Sequence, residues 1–144
     1  MTLSDITVES QGSAVELEEA ESYIAQLDLT YIVKAMCAPD YPMPRWTLED
    51  AEHSLVLYKN FLMLLKEYPR EGLVPTREID EFWHNHILYT KNYHRDCLHI
   101  FGHYLHHEPA SPADNPEKLI DAYLKTKQYY LEKFKHPLVA AYHS

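Results

Sequence analysis

The chain has 144 residues, 46% hydrophobic and 24% charged, with a net charge of -9. That length fits one compact domain, and the composition belongs to a soluble globular chain rather than a disordered one. Residues 1–52 hold 11 of the 22 acids against two bases, Lys34 and Arg45, while the remainder balances; with no basic stripe to neutralise phosphates, nucleic acid is excluded as an expected partner.

Residues 1–13 are polar with little apolar pattern and read as a mobile tail, leaving 14–144 as a single helical domain. Leu17, Ala20, Ile24, Leu27 and Tyr31 recur at three- and four-residue steps, the spacing of one helical face. Asp28 divides this stretch into two helices, the second running to about Cys37. Pro39, Pro42 and Pro44 make a loop, because each removes a backbone donor and disfavours helix before it. Thr47 caps a long helix whose first turn holds Glu49 and Asp50, suited to its positive end. Leu48, Ala51, Leu55, Tyr58, Leu62 and Leu65 line one face of it, and further apolar residues (Val56, Leu57, Phe61, Met63, Leu64) make it central. Pro69 and Gly72 end it.

Thr76 caps the next helix, from about Arg77 to Thr90, and another runs from about Tyr93 to Leu105. Asn115-Pro116 opens a last helix that carries Leu119, Ile120, Tyr123, Leu124, Tyr130, Leu131 and Phe134 to His136-Pro137. There is no period-2 strand and no repeat. The expected fold is an all-α single-domain bundle of about five or six helices. No apolar run approaches the roughly 20 residues of a membrane span, and no charged-then-apolar leader opens the chain. Cys37 and Cys97 form no CxxC and read as reduced thiols, so a cytoplasmic protein without a membrane partner is expected.

The composition is unusual in its 10 His, 12 Tyr and 3 Gly. Glycines this few and this scattered exclude a phosphate-cradling loop or dinucleotide fingerprint. Seven of the histidines fall between His84 and His107, inside a site region of 76–109. On the 77–90 helix, Ile79, Phe82, Trp83, His86 and Ile87 share a broad face, so His86 is expected to point inward. Asp80 and His84 are i, i+4 neighbours beside that face and could share a metal or a hydrogen bond. His84 and His86 lie about 200° apart on a regular helix, so one undistorted helix cannot aim both at one ion.

On the 93–105 helix, Asp96, His99 and His103 fall within roughly 60°, flanked by His106 and His107, while Tyr93, Cys97, Ile100, Phe101 and Tyr104 cover the inward face. An Asp and His set of this kind suits zinc, iron or manganese. Each feature also has a plain structural reading: His86 as a hydrogen-bonded core residue, His99 and His103 as a solvated face, and Cys97 as packing. Cys97 with His94 one turn away is a further, thinner candidate for a nucleophilic pair.

Val74-Pro75-Thr76, Ile79-Asp80, Trp83-His84-Asn85-His86-Ile87, Tyr93, Asp96-Cys97, Phe101-Gly102 and His106-His107 with Pro109 follow one another in a distinctive order. This pattern, over about residues 73–109 and more loosely the last helix, resembles the family named for plant glycine-rich domain proteins, which includes small stand-alone bacterial versions. The resemblance implies a helical domain without a defined activity, with motif positions Asp80, Trp83, His84, His86, Tyr93, Asp96, Cys97, His106 and His107. His99 and His103 fall outside the motif. The glycine-rich and RNA-binding extensions of the plant proteins have no counterpart in these residues, so the plant proteins' suggested stress and growth roles do not carry over.

Two functions are expected from this. In the first, a divalent metal (zinc, iron, manganese or copper) is held by Asp80, His84, Asp96, His106 and His107. Its open positions serve hydrolysis or oxidation of a small molecule, and Tyr93 or His86 acts as proton donor or support. In the second, the domain is a non-catalytic protein-interaction module whose histidines are structural or pH-responsive and whose acidic N-terminal third docks a basic partner. A structural metal pinning the two histidine-bearing helices together is a third possibility. Full burial of His86 with protein hydrogen bonds favours the second reading; convergence of Asp80, His84 and Asp96 on a cavity favours the first.

Overall fold

Several of the helices begin where a side chain occupies one of their unpaired first amides. The computed structural model describes residues 15–42, 46–108 and 115–139, so the tail expected over 1–13 lies outside the described residues. Six helices form within them: α1 (Leu17–Gln26), α2 (Thr30–Met36), α3 (Leu48–Glu67), α4 (Arg77–Leu88), α5 (Thr90–Phe101) and α6 (Pro116–Phe134). There is no strand among the described residues, and the protein is an all-α helical bundle.

The α1–α2 break falls at Asp28, whose carboxylate accepts from the Thr30 backbone N–H at 2.9 Å and its hydroxyl at 2.6 Å. Thr47 Oγ1 accepts from the Asp50 N–H at the start of α3, and Thr76 Oγ1 from the Ile79 N–H at the start of α4. Asn115 caps α6, with Pro116 in the first turn, where its missing N–H costs nothing.

The long α3 is central, as its apolar excess demands. Tyr58, Phe61 and Leu64 are fully buried on it, and it packs against α1, α2, α4 and α6. α5 lies against α1 and α4, so α4 and α5, joined through Tyr89 alone, form a tight helical hairpin beside α3. No helix among the described residues is long and apolar enough to cross a membrane.

The structure corrects the expected bounds of α5. The helix starts at Thr90 rather than Tyr93 and stops at Phe101 rather than Leu105. The stop is Gly102, whose φ of 82° is the left-handed conformation that ends a helix at little cost only in glycine. His103, His106 and His107 therefore lie past the helix, and the stripe of Asp96, His99 and His103 is broken. The segment 103–108 turns back over α4 instead.

Candidate functional site

The inward face of α4 consists of Ile79, Phe82, Trp83 and His86, all buried. His86, 1% exposed, is a core histidine. Its Nε2 lies 2.9 Å from Asp96 Oδ2 of α5, and its Nδ1 lies 2.7 Å from the Tyr58 hydroxyl of α3. Asp96, also 1% exposed, receives two further donors on Oδ1: the Tyr23 hydroxyl of α1 at 2.6 Å and Arg95 Nε at 3.1 Å. One buried polar chain thus ties α1, α3, α4 and α5 together.

Burial alone would raise the Asp96 pKa, but the hydrogen bonds from His86, Tyr23 and Arg95 more than offset it and hold the carboxyl below its ordinary value. An ionised carboxylate only accepts, so the His86 Nε2 carries a proton. The Tyr58 hydroxyl then serves Nδ1 either as donor to a neutral ring or as acceptor from a charged one. Burial drives the Tyr58 pKa well up, so this hydroxyl keeps its proton. The Tyr23 pKa is raised to about 12, by burial first and then by its bond to Asp96.

A second cluster sits where the 103–108 segment crosses α4. His107 Nε2 meets Asp80 Oδ1 at 2.5 Å, and the His107 ring stacks on Trp83 with centroids 3.9 Å apart. Trp83 Nε1 donates to the Tyr93 hydroxyl at 2.9 Å, and that hydroxyl donates to the Leu105 carbonyl at 2.6 Å. Burial pushes the Tyr93 pKa far above its ordinary value. Tyr93 therefore holds the returning segment to α4, with its oxygen engaged within the protein on both sides.

Of the five candidate metal ligands, the structure brings together only Asp80 and His107. Asp96 belongs to the buried chain with His86. His84 is exposed on the outer side of α4, and exposed His106 packs edge-on to Tyr104 at 4.9 Å. Among the described residues, no group of three or more His, Cys, Asp or Glu side chains is arranged to hold a metal ion. Exposed His99 stacks on Tyr23 of α1 at 4.8 Å. Cys97 is buried and its thiol pKa is raised by that burial, which fits packing rather than a thiolate nucleophile.

A surface groove of about 420 Å³ opens among the start of α1 and the ends of α3 and α5, lined by Leu17, Leu65, Phe101 and His103. Of the Asp and His residues considered as ligands, His103 lines it, while Asp80, His84, Asp96, His106 and His107 do not. Tyr58, Tyr23 and Arg95 were not singled out by sequence reasoning: Tyr58 and Tyr23 come from α3 and α1, which no spacing links to His86, and Arg95, beside Asp96 in α5, reads as an exposed surface charge.

The UCP032817-like family model matches residues 19–131. Glycine-rich domain-containing protein 1 of Arabidopsis thaliana is 29% identical over 140 residues, covering 92% of this chain but 16% of that protein. The chain thus spans about a sixth of the length of this relative. No solved structure matches. The matched stretch contains most of α1, all of α2 to α5, most of α6 and both histidine clusters, and the chain belongs to the UCP032817-like family, a glycine-rich domain-containing protein-like family.

Proposed function

We propose that the domain is a non-catalytic protein-interaction module in which the histidine cluster is architecture. The observation that carries this reading is the saturation of His86. An imidazole that moves protons for a substrate or binds a metal needs a ring nitrogen open to it. Both nitrogens of His86 face protein groups inside the core, and Asp96 beside it accepts from three side chains.

A second reading, a His/Asp metal site, is supported by one contact. Asp80 and His107 pair at 2.5 Å with the carboxylate half-exposed, and a zinc, iron, manganese or copper ion taking over that contact would have its other positions open to water. Such a site would serve hydrolysis with zinc or oxidation with iron or copper.

Metal analysis and titration on the untagged chain, purified without chelator or nickel resin, separate the two. With zinc or manganese added, the interaction reading expects no stoichiometric uptake, and histidine ring nitrogen spectra in which His86 Nε2 stays protonated. About one equivalent of metal, lost in both Asp80→Ala and His107→Ala while the helical circular dichroism persists, overturns it in favour of the metal site.

A further inference from the structure

Outward from the bundle, α5 shows Lys91, His94, Arg95, Leu98 and His99, all exposed and none acidic. Its one acid, Asp96, is buried. In a chain of net charge -9, this face has the opposite sign. The neighbouring elements leave it so. α2 carries no acid and exposes Lys34. On α4, Glu78 is buried, Asp80 pairs with His107, and Glu81 accepts from Tyr41 and Trp46. α1 runs antiparallel to α5, because Tyr23 meets Asp96 and His99 while Leu17 shares a groove with Phe101 and His103. The exposed Glu16, Glu18 and Glu19 at the start of α1 therefore lie towards His103. Further along, beside Arg95 and Lys91, α1 exposes the uncharged Ser22, Ala25 and Gln26, and Asp28 is taken up by Thr30.

Lys91, Arg95 and His99 form one row at four-residue steps, about 6 Å apart along the axis. The middle member is anchored from behind. Arg95 Nε donates to the buried Asp96 Oδ1 at 3.1 Å, while the side chain stays 52% exposed. That bond fixes the guanidinium and leaves other N–H groups of its fork for a carboxylate from outside. His99 is held by its stack on Tyr23, and an imidazole keeps at least one ring N–H in any protonation state. Side chains held in place beforehand lose little entropy on binding. Leu98, 44% exposed, adds an apolar spot beside the row.

The row holds two permanent charges, too few for a nucleic-acid backbone or an anionic bilayer, and the net charge of -9 opposes approach to either. Carboxylates repeated at the same step match it, and a helix with an acid at every fourth residue presents them. We infer that the outer face of α5 docks an acidic helical segment of another protein, whose carboxylates meet Lys91, Arg95 and His99. This rests on the interaction-module reading and gives that module its docking face and the chemistry of its partner.

The test uses the full chain, labelled with ¹⁵N, and a synthetic helical peptide with three glutamates at four-residue steps and a leucine beside the middle one. A control peptide carries glutamine at the three positions. The expected result is saturable binding of the glutamate peptide, at least about tenfold tighter than the control, with amide shifts centred on residues 91–99. Lys91→Glu, at an exposed position, weakens it at least about fivefold and leaves the free spectrum otherwise unchanged. Changing the glutamate at one end of the peptide to lysine, the end set by its direction, restores binding to Lys91→Glu but not to the parent. Equal binding of the two peptides, binding of neither, shifts centred elsewhere, or no recovery from either end would each overturn the inference. So would tighter binding of a single-stranded homopolymeric RNA or of phosphatidylserine vesicles, or self-association of the chain that Lys91→Glu dissolves. Because metal uptake is measured separately, loss of this docking face is distinguishable from failure of the interaction-module reading itself.

Discussion

Asp96 shows how much one residue can depend on its surroundings. A carboxylate 1% exposed in a core is unfavourable unless it is neutralised and hydrogen-bonded; here Arg95 supplies the opposite charge, and Arg95, Tyr23 and His86 donate hydrogen bonds. Its pKa in the fold lies below the roughly 3.9 of an unfolded aspartate. The ionised form therefore stabilises the fold above about pH 4, and that stabilisation is lost as the pH falls through the depressed folded value. Asp96→Asn should lower stability at neutral pH, and its deficit against the parent should narrow below about pH 4 in denaturant unfolding series. A deficit independent of pH would mean that the lost carboxylate charge is not the cause. His86→Ala removes the Nε2 donor and leaves a cavity, for a loss of about 3 kcal/mol. The inward position of His86 is legible in the sequence because Ile79, Phe82 and Trp83 surround it on the helical wheel. The partners of His86 and Asp96 are not, since Tyr58 is one aromatic among many on an apolar face, Tyr23 lies beside the periodic residues of α1, and only tertiary packing delivers their hydroxyls.

At the scale of elements, caps and breaks were the readable signals. Thr47, Thr76 and Asn115-Pro116 begin their helices where side-chain chemistry says they should, and Asp28 separates α1 from α2. The error at α5 has the same kind of cause. Thr90, Lys91 and Asn92 carry no apolar pattern, so periodicity starts the helix too late. Tyr104 and Leu105 continue the apolar spacing beyond Gly102, so periodicity ends it too late. The glycine settles the matter through its φ of 82°, and by ending α5 it sends His107 to Asp80 and Trp83. Gly102→Ala is expected to cost about 1 kcal/mol in chemical denaturation, because an L side chain disfavours that conformation, whereas Gly102→Asn should cost less. Equal losses for the two variants would show that the left-handed backbone is not what the position requires.

Across the whole molecule, α3 to α5 and α6 are held in different ways. α3 and α4 share a dense apolar core, whereas α6 buries only two residues, sets Tyr129 and Phe134 partly buried against that core, and adds polar contacts. Thr126 Oγ1 accepts from the Val74 N–H at 2.9 Å, the Asn60 amide donates to the Tyr130 hydroxyl at 2.8 Å, and Lys133 reaches Glu21 of α1 at 2.7 Å and Glu67 of α3 at 2.5 Å. A segment with few buried apolar contacts opens locally at lower free energy than the core around it. Amide hydrogen exchange should therefore be faster along α6 than along α3 and α4, with α6 releasing before global unfolding. Lys133→Met, which keeps the aliphatic stem but removes both ion pairs, should speed α6 exchange by about tenfold, roughly 1.4 kcal/mol for a partly buried charge with two partners. The α3 amides should be unaffected. Protection of α6 equal to that of α3, unchanged in the variant, would instead make the bundle a single cooperative unit.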